Sequence, residues 1–528
     1  MINMKNVVML ISAVLAVHFA SGQIKFEERI EFEINDGFVS EKFHEMGEAG
    51  VIVSSRSASS SQGNYRWRFQ LYNIDLISEW TENLDLDNSF VFDETASTDN
   101  SLHNLYRNRK GEFIIVSLEP LYKEVTEVVG AFPKKTIVQS MQILGDYAFF
   151  KGVIKGSPYL FAVNWRTGKQ KMVPIQIDNF KSKKIVIKDY QVLEKEKEVF
   201  VFLQVFYKKN LELHIIQLNE ESEKTNQYHF TDDIDKNIMS ISVSKTTNGK
   251  YIFTGTYNSL SKNKISAGDV FSSLLTGRRG SKSARMMSSS EGLFFCEAEN
   301  NEISFIQYYN WLELDNFLSY LSDKKQERIE KKNDRKKARG KELTYNYLIA
   351  DHDVQFVDDG YIFLGEAYYP TYRTEFYTSY QNGVPVTQTR TVFDGYQYTH
   401  AVVAKFGFNG ELVWDETFEM FPAEKPYRVK RFISTPDNLE DALYMVFSSY
   451  SRIMTKAINF DGIVIENKAS EEILTENQND NIKYTTSNLD YWYGDYFLAF
   501  GYQKIKNKEE VKRKDRKRKV YYMCKVAY

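Results

Sequence analysis

The fold is decided by a stretch that begins at Ile241 and reads ISVSKTTNGKYIFTGTY as far as Tyr257. Apolar and polar residues alternate before the Asn248-Gly249 pair, and a strongly apolar run follows it. Such alternation is typical of a half-buried β-strand, and Asn-Gly between two apolar runs is the strongest short-range signal of a β-hairpin. The stretch therefore predicts two antiparallel strands joined by a tight turn.

The same strand–turn–strand cassette recurs along the chain. A second clear copy reads VQF from Val354, turns at Asp359-Gly360 and continues as YIFLG to Gly365. Six weaker copies place their second strand at residues 51–54, 113–117, 147–152, 199–206, 443–448 and 496–502. A cassette repeated at intervals of roughly 50 residues indicates a repeat architecture.

Several cassettes are followed by a second hairpin, with turns at Thr167-Gly168, Asn409-Gly410 and Asp461-Gly462. Two successive hairpins make a four-stranded antiparallel sheet, which is the blade of a β-propeller. The alternating segment 27–34 and the final segment 519–528 would pair with each other and remove an exposed sheet edge. We expect an all-β, seven- or eight-bladed β-propeller closed by pairing of its N- and C-terminal strands, with one helical and one long β-hairpin insertion.

Residues 1–22 are typical of a signal peptide. Lys5 supplies a positive charge, residues 7–20 form an apolar run, and Ala20-Ser21-Gly22 offers small residues for cleavage before Gln23. We expect residues 23–528 to form a single propeller domain without a transmembrane segment. The expected location is the periplasm or the periphery of the outer membrane, with extracellular release as the alternative. Two cysteines far apart, Cys296 and Cys524, predict buried thiols rather than a disulfide framework.

The charge distribution is uneven although the formal net charge is only −3. Residues 324–341 and 504–519 each carry ten Lys or Arg against three acidic residues, so the rest of the chain sums to −17. The second segment is expected to connect two strands of the last blade. Anionic lipid, lipopolysaccharide headgroups or an acidic protein surface suit such segments. Nucleic acid is a poor partner for an exported protein, and neither segment interleaves aromatic residues as single-strand binders do.

Three insertions break the repeat. Residues 261–290 are rich in Ser, Gly and Arg and predict a surface loop. Residues 311–340 predict a helix whose apolar first half docks on the propeller and whose basic second half is exposed. The apolar face of this helix is Leu314, Phe317, Leu318 and Leu321, and its partner-binding side chains are Lys331, Lys332, Arg335 and Lys336.

The third insertion, residues 366–400, predicts a long two-stranded hairpin with its turn at Asn382-Gly383. An isolated two-stranded ribbon is marginal in water, so it should lean on its own blade, a second subunit or a partner. Tyr and Arg are enriched at binding hot spots. The residues expected to bind a partner are Tyr369, Tyr372, Arg373, Phe376, Tyr380 and Arg390.

The hairpin carries a resemblance to a known group of proteins. The stretch GEAYYPTYRTE from Gly365, then NGVPV from Asn382 and FDGYQYTHA from Phe393, resembles secreted β-propeller-like proteins of unassigned function from Bacteroidota-type bacteria. The resemblance covers about residues 290–420. It implies export and a propeller-like fold, and it offers no catalytic residues to carry over.

The sequence favours no particular chemistry. Apart from His18 in the signal peptide, the histidines at 44, 103, 214, 229, 352 and 400 are scattered, so no metal or cofactor site is predicted. The Asp351-His352-Asp353 cluster suggests solvated or capping residues. Asp359 and Asp394 each precede Gly and are explained by turns. No nucleophile elbow or phosphate-binding glycine loop occurs, so we expect no catalytic site.

The expected function is therefore a non-enzymatic interaction scaffold of the cell envelope. It would bind a protein partner or an envelope surface through the hairpin and the basic helix. The alternative is a glycan-binding or glycan-hydrolysing propeller whose aromatic side chains stack on sugars.

Overall fold

The structure, a computed structural model, describes residues 24–33, 37–207, 210–230, 236–259, 289–299, 302–341, 343–381, 384–437, 439, 441–509 and 516–528. Within these ranges about two thirds of the residues lie in β-strands, and there is a single α-helix. The predicted signal peptide and nearly all of the predicted 261–290 loop lie outside the described residues. So do the Asn382-Gly383 turn and the middle of the basic 504–519 segment.

The strands follow one another as hairpins, and their bounds in chain order are as follows. The first half of the chain contains β1 (Lys25–Glu33), β2 (Phe38–Glu45), β3 (Val51–Ser57), β4 (Asn64–Tyr72), β5 (Ser78–Asp87), β6 (Val91–Ser97), β7 (Leu102–Arg107), β8 (Glu112–Glu119), β9 (Glu124–Ala131), β10 (Thr136–Leu144), β11 (Tyr147–Ile154), β12 (Ser157–Asn164), β13 (Gln170–Pro174), a 3₁₀ turn (Ser182–Lys184), β14 (Ile185–Leu193), β15 (Glu198–Tyr207), β16 (Asn210–Asn219), β17 (Lys224–Phe230), β18 (Lys236–Lys245) and β19 (Tyr251–Ser259).

In the described part of the second half, a 3₁₀ turn and one α-helix interrupt this series of strands. It contains β20 (Gly292–Glu299), β21 (Glu302–Asn310), a 3₁₀ turn (Trp311–Glu313), α1 (Asp323–Lys337), β22 (Leu348–Asp351), β23 (Gln355–Val357), β24 (Gly360–Gln381), β25 (Val384–Gly407), β26 (Leu412–Glu419), β27 (Ala442–Ser449), β28 (Arg452–Asn459), β29 (Val464–Glu472), β30 (Asn481–Tyr493), β31 (Tyr496–Lys506) and β32 (Lys517–Ala527).

These strands form eight antiparallel sheets. Six have four strands, β27–β29 form a three-stranded sheet, and the sheet of β22–β26 has five. Seven sheets use strands consecutive in sequence, whereas the eighth pairs β1 with β32, followed by β31 and β30. The all-β prediction is confirmed, and each of the eight predicted cassettes lies in a different sheet. The copy at 113–117 is the third strand of its sheet, because the tight turn at Gly111 joins β7 to β8 rather than β6 to β7.

The described residues group into two compact units. One consists of the described residues within 24–59, 66–84 and 432–528, and the other of those within 60–65 and 85–431. In the first unit the terminal strands pair antiparallel, with Ile30 opposite Met523 and Arg29 opposite Cys524. The predicted pairing of the two terminal strands is therefore present. Both cysteines are buried free thiols, as predicted.

In the second unit, the hydrophobic cores lie between consecutive sheets. Phe149, Leu160, Val201 and Leu203, for example, pack in one cluster contributed by β11, β12 and β15. Buried aliphatic and aromatic side chains of this kind supply most of the stability of stacked sheets. The first strands of neighbouring sheets also bond through glutamines: Gln142 Nε2 donates to Tyr190 O at 2.8 Å, and Val192 N donates to Gln142 Oε1 at 2.8 Å. Consecutive sheets are thus held in a fixed order by packing and by a repeated polar contact.

The predicted helix over 311–340 is only half correct. The apolar half is a 3₁₀ turn followed by irregular turns, and the α-helix covers only Asp323–Lys337. Asp415 explains the difference, because its carboxylate accepts the backbone N–H groups of Asp315 and Asn316, both at 2.7 Å. Those two donors are then no longer available for helical hydrogen bonds. Trp311 and Phe317 are buried with a stacked contact of 5.0 Å, so the predicted docking of this segment is correct.

Candidate functional site

The long hairpin of β24 and β25 extends beyond its own sheet. The outer strand β22 pairs with β24 only as far as Tyr368, and β26 pairs with β25 only as far as His400. Residues 369–381 and 384–397 pair with each other, from Tyr369 opposite Gln397 to Gln381 opposite Val384. At about 3.3 Å per residue this two-stranded ribbon, hereafter the arm, is about 40 Å long.

One face of the arm is aromatic and exposed. Tyr372 lies opposite Phe393, Phe376 opposite Thr389, and Tyr380 opposite Pro385. Since side chains alternate between the faces of a strand, these residues share one face. Phe376 is 73% exposed and Tyr380 is 75% exposed. Threonines occupy the positions between the rings on this face, at residues 374, 378, 387, 389 and 391.

The opposite face of the arm is occupied by an ion-pair network. Glu375 accepts from Arg373 at 2.9 Å and from Arg390 at 2.8 Å. Hydrogen bonds from Arg390 and Arg373 lower the pKa of the Glu375 carboxyl group. Tyr377 donates its hydroxyl to Gln388 at 2.7 Å on the same face. The sequence prediction grouped Arg373 and Arg390 with the aromatic residues as one binding set. In the structure the two arginines lie on the opposite face of the arm, because side chains alternate between the faces of a strand.

A hollow of about 490 Å³ lies at the base of the arm. It is lined by four tyrosines, one proline and a few small or polar residues: Ser289, Tyr320, Asn346, Tyr347, Leu348, Tyr368, Tyr369, Pro370 and Thr399. We call it the tyrosine hollow. The predicted binding residue Tyr369 lies here rather than on the aromatic face, because it is three residues from Tyr372 and successive side chains of a strand alternate between its faces.

Buried aromatic contacts hold the wall of the tyrosine hollow. The hydroxyls of Tyr320 and Tyr347 are 2.9 Å apart, and the Tyr320 ring stacks on His400 at 3.7 Å. Burial raises the pKa of both tyrosine hydroxyls and lowers the pKa of His400 to about 3. These side chains are therefore neutral near pH 7 and suit contacts with an uncharged ligand.

The four predicted side chains of the basic helix lie on α1. No residue of this helix is buried, and Lys331, Lys332 and Arg335 are exposed. Lys331 pairs with Glu327 one turn earlier, and the Lys332 ammonium lies 5.8 Å from the Tyr345 ring. Among the described residues, the structure contains no helix that is both long and apolar enough to span a membrane.

The Asp351-His352-Asp353 cluster, predicted as solvated or capping residues, is solvated only in part, because Asp353 is exposed and His352 is not. His352 Nε2 lies 2.8 Å from Glu366 Oε1, and the Glu366 side chain is fully buried. The sequence interpretation missed this because Glu366 lies on the neighbouring strand, where the Asp351–Gly365 pairing brings it close.

Sequence reasoning also missed a second constellation, formed by Glu212, His214 and His229. One side-chain donor atom from each lies within 4.8 Å of the others. Burial, and then the charge of His229, lower the pKa of His214 to about 4. The sequence did contain a signal for this cluster, because a hairpin centred on residues 219–223 places His214 opposite His229. The expectation of scattered histidines was therefore wrong for this pair.

Comparison with known proteins gives no family assignment. No protein-family model matches the chain, and no curated protein matches it significantly. Among solved structures, a polysaccharide lyase, Uly1, is similar over 95% of this chain and 99% of its own, with 9% identity and a TM-score of 0.35. A PL25 ulvan lyase is similar over 77% and 88%, with 8% identity and a TM-score of 0.37.

A structure from a study of two prolyl endopeptidases is also similar, with 8% identity and a TM-score of 0.37. The match covers 89% of this chain and only 54% of the endopeptidase chain, so this chain spans about half the length of that protein. Likeness at this level carries no argument about activity. The candidate sites therefore stand on the geometry of this chain alone.

Proposed function

We propose that the protein is a non-enzymatic scaffold of the cell envelope that binds a protein partner through the aromatic face of the arm. The single observation that carries the proposal is the exposure of Phe376 and Tyr380 on a ribbon whose other face is ion-paired. Large exposed aromatic side chains on one surface mark interaction sites in soluble proteins.

The energetics of the arm support this role. A two-stranded ribbon is marginal by itself in water, so an aromatic face is an unusual feature to leave exposed. Burying apolar surface contributes about 25 cal/mol per Å², or about 1.5–3 kcal/mol for each large side chain. Phe376, Tyr380 and Tyr372 lie on one face at intervals of four residues, which places them about 13 Å apart along the strand. A partner surface with three matching hollows would bury all three rings.

The remaining parts of the proposal rest on the sequence. The signal peptide supports export to the periplasm or the outer-membrane periphery. We take the eight sheets to be the blades of the β-propeller that the sequence predicts as seven- or eight-bladed, with the β1–β32 pairing closing it. The basic helix supplies a second contact, through Lys331, Lys332, Arg335 and Lys336, to anionic lipid or lipopolysaccharide headgroups.

Photo-crosslinking from the two faces of the arm tests the binding role. A benzophenone amino acid replaces Phe376 on the aromatic face, and in the matched control it replaces Tyr377 on the ion-paired face. Crosslinking in the native envelope should yield a protein adduct from position 376 and little from 377. With the purified partner, Phe376→Ser combined with Tyr380→Ser should weaken binding at least 100-fold, and Gln388→Ala should leave it unchanged. Equal adducts from both faces, or unchanged affinity of the double variant, would refute the proposal.

A second function, glycan binding, is favoured by the tyrosine hollow. Its volume of about 490 Å³ lies within the usual range for small-ligand sites. Neutral tyrosine rings, a proline and a few hydroxyl and amide groups suit the faces and hydroxyls of a sugar ring. A glycan array with wild type and Tyr369→Ala tests this function, and a hydrolysis assay on any glycan bound separates binding from cleavage. Identical array profiles for the two proteins would exclude the hollow as the sugar site.

A further inference from the structure

We propose that Glu212, His214 and His229 bind a divalent transition-metal ion of the Zn²⁺ class. The site is independent of the arm and does not rest on the proposed scaffold function. Two imidazoles and one carboxylate are a common ligand set for Zn²⁺, with a fourth position taken by water or another ligand.

Strand register brings the three donors to one face. Glu212 and His214 are two residues apart on β16 and so point to the same side of the sheet. His229 on β17 lies directly opposite His214 in the antiparallel ladder. Directly opposed side chains have Cβ atoms about 4.5–5.5 Å apart, which is close enough for both to reach one ion.

The donor separations fit tetrahedral coordination. His214 Nε2 lies 3.3 Å from Glu212 Oε2, and His229 Nε2 lies 3.2 Å from the same oxygen. With metal–ligand bonds of about 2.0–2.1 Å, two ligands of a tetrahedral ion are about 3.3 Å apart. The two rings are stacked, with centroids 3.9 Å apart and planes 10° apart, so the exposed His229 ring would turn on binding to direct its in-plane Nε2 lone pair at the same ion as His214.

The surrounding residues enclose His214 and leave His229 open to solvent. The His214 side chain is only 4% exposed, and the Phe180 ring packs edge-on against it at 5.6 Å. His214 Nδ1 is buried without a hydrogen-bond partner among the described residues, so the polar contact of this ring is made through Nε2. His229, in contrast, is 39% exposed, and Glu212 is partly exposed. An ion would therefore reach the site from solvent and keep a position for water on that side.

The opposite face of the same two strands packs against the next sheet. Leu213, Tyr228 and Phe230 alternate with the three donors and pack into the core shared with the next sheet. A cavity of about 410 Å³ between these sheets is lined by Leu213, Tyr228 and Phe230 and also by Glu212 and His229. Glu212 and His214 lie on the other face of β16, where Ile216 and Leu218 pack toward the preceding sheet, and a bound ion there would link β16 to β17.

Metal binding to the full chain tests the inference. After chelator treatment and dialysis, titration with ZnCl₂ followed by calorimetry should give one bound ion per chain. His229→Gln and Glu212→Gln should each weaken Zn²⁺ binding at least 100-fold, and Glu223→Gln, a carboxylate on the same hairpin outside the cluster, should leave it unchanged. No binding of Zn²⁺ at micromolar concentration, or equal affinity in His229→Gln, would overturn the inference.

Cobalt provides a readout that does not depend on the variants. Co²⁺ bound to the wild-type protein should give the intense visible absorption of a tetrahedral ion, and an equimolar addition of Zn²⁺ should abolish it. The weak spectrum of octahedral Co²⁺ would contradict the proposed coordination.

Discussion

The side-chain amide of Gln191 forms two hydrogen bonds with the main chain of Val243 in the next sheet. Its Nε2 donates to Val243 O at 3.0 Å, and Val243 N donates to its Oε1 at 2.8 Å. The two residues are on β14 and β18, the first strands of neighbouring sheets. This contact therefore links two sheets that are not joined by backbone pairing. Gln142 makes the equivalent contact one sheet earlier.

Gln191→Leu should destabilise the protein by about 1–3 kcal/mol, because it leaves the N–H and C=O of Val243 without their partners. Urea unfolding followed by tryptophan fluorescence measures the change. Gln388→Leu on the exposed arm is the matched control and should change the free energy of unfolding by less than about 0.5 kcal/mol. Equal effects of the two changes would contradict a structural role for the Gln191 contact.

Cys524 should report on the pairing of the terminal strands. It lies opposite Arg29 in the β1–β32 ladder, and burial raises the pKa of its thiol to about 11. Because thiolates are the reactive form, Cys524 should react very slowly with a thiol reagent in the intact protein. Deleting residues 24–33 should raise its rate at least tenfold, while Cys296, buried in the other unit, stays protected. Mass spectrometry of labelled peptides measures both, and an unchanged rate at Cys524 would contradict the prediction.

Acid should destabilise the fold through buried histidines. Burial, with a smaller effect of Arg166, lowers the pKa of His103 to about 3. The unfolded chain binds a proton at this residue below pH 6.5, whereas the folded chain does not until about pH 3. The stability that depends on neutral His103 is therefore complete above pH 6.5 and falls as the pH drops, by up to about 1.4 kcal/mol per pH unit. His103→Gln should flatten the pH dependence of the unfolding free energy between pH 4 and 6.5. The same slope in variant and wild type would exclude this cause.

The basic helix should bind anionic membranes in a salt-dependent manner. Each Lys or Arg near an anionic surface contributes about 1 kcal/mol, and the effect weakens as added salt shortens the Debye length. Changing Lys331, Lys332, Arg335 and Lys336 to Gln should reduce binding to phosphatidylglycerol vesicles at least tenfold. Vesicle sedimentation at two salt concentrations measures this, and phosphatidylcholine vesicles should bind neither protein. Lys134→Gln combined with Lys169→Gln, remote in sequence from the helix, should bind like the wild type.

The strands were predictable because their signals are local. Asn248-Gly249 lies between two apolar runs, and both runs are strands as expected. The apolar segment from Leu314 to Leu321 misled the same reasoning, because its backbone N–H groups bond to Asp415, about one hundred residues away. The sequence of the segment from Leu314 to Leu321 therefore could not reveal this hydrogen-bond partner.

The candidate sites depended on register, which the sequence constrains less strongly. Tyr369 lies in the tyrosine hollow and Tyr372 on the aromatic face because side chains alternate along a strand, and the pairing of the strands decides which face meets the hollow. Glu212, His214 and His229 come together only after β16 and β17 are paired with the correct register. A shift of one residue would have moved His229 to the other face of the sheet.

The pairing of Ile30 with Met523 also sets an order of events during folding. A strand from the beginning of the chain must remain unpaired until residues almost five hundred positions later have been made. Its backbone groups and alternating apolar side chains are open to wrong partners throughout that interval. Contacts between such distant segments form slowly because a very long loop must close first. This topology therefore leaves β1 exposed to non-native pairing for longer than any strand whose partner is adjacent in sequence.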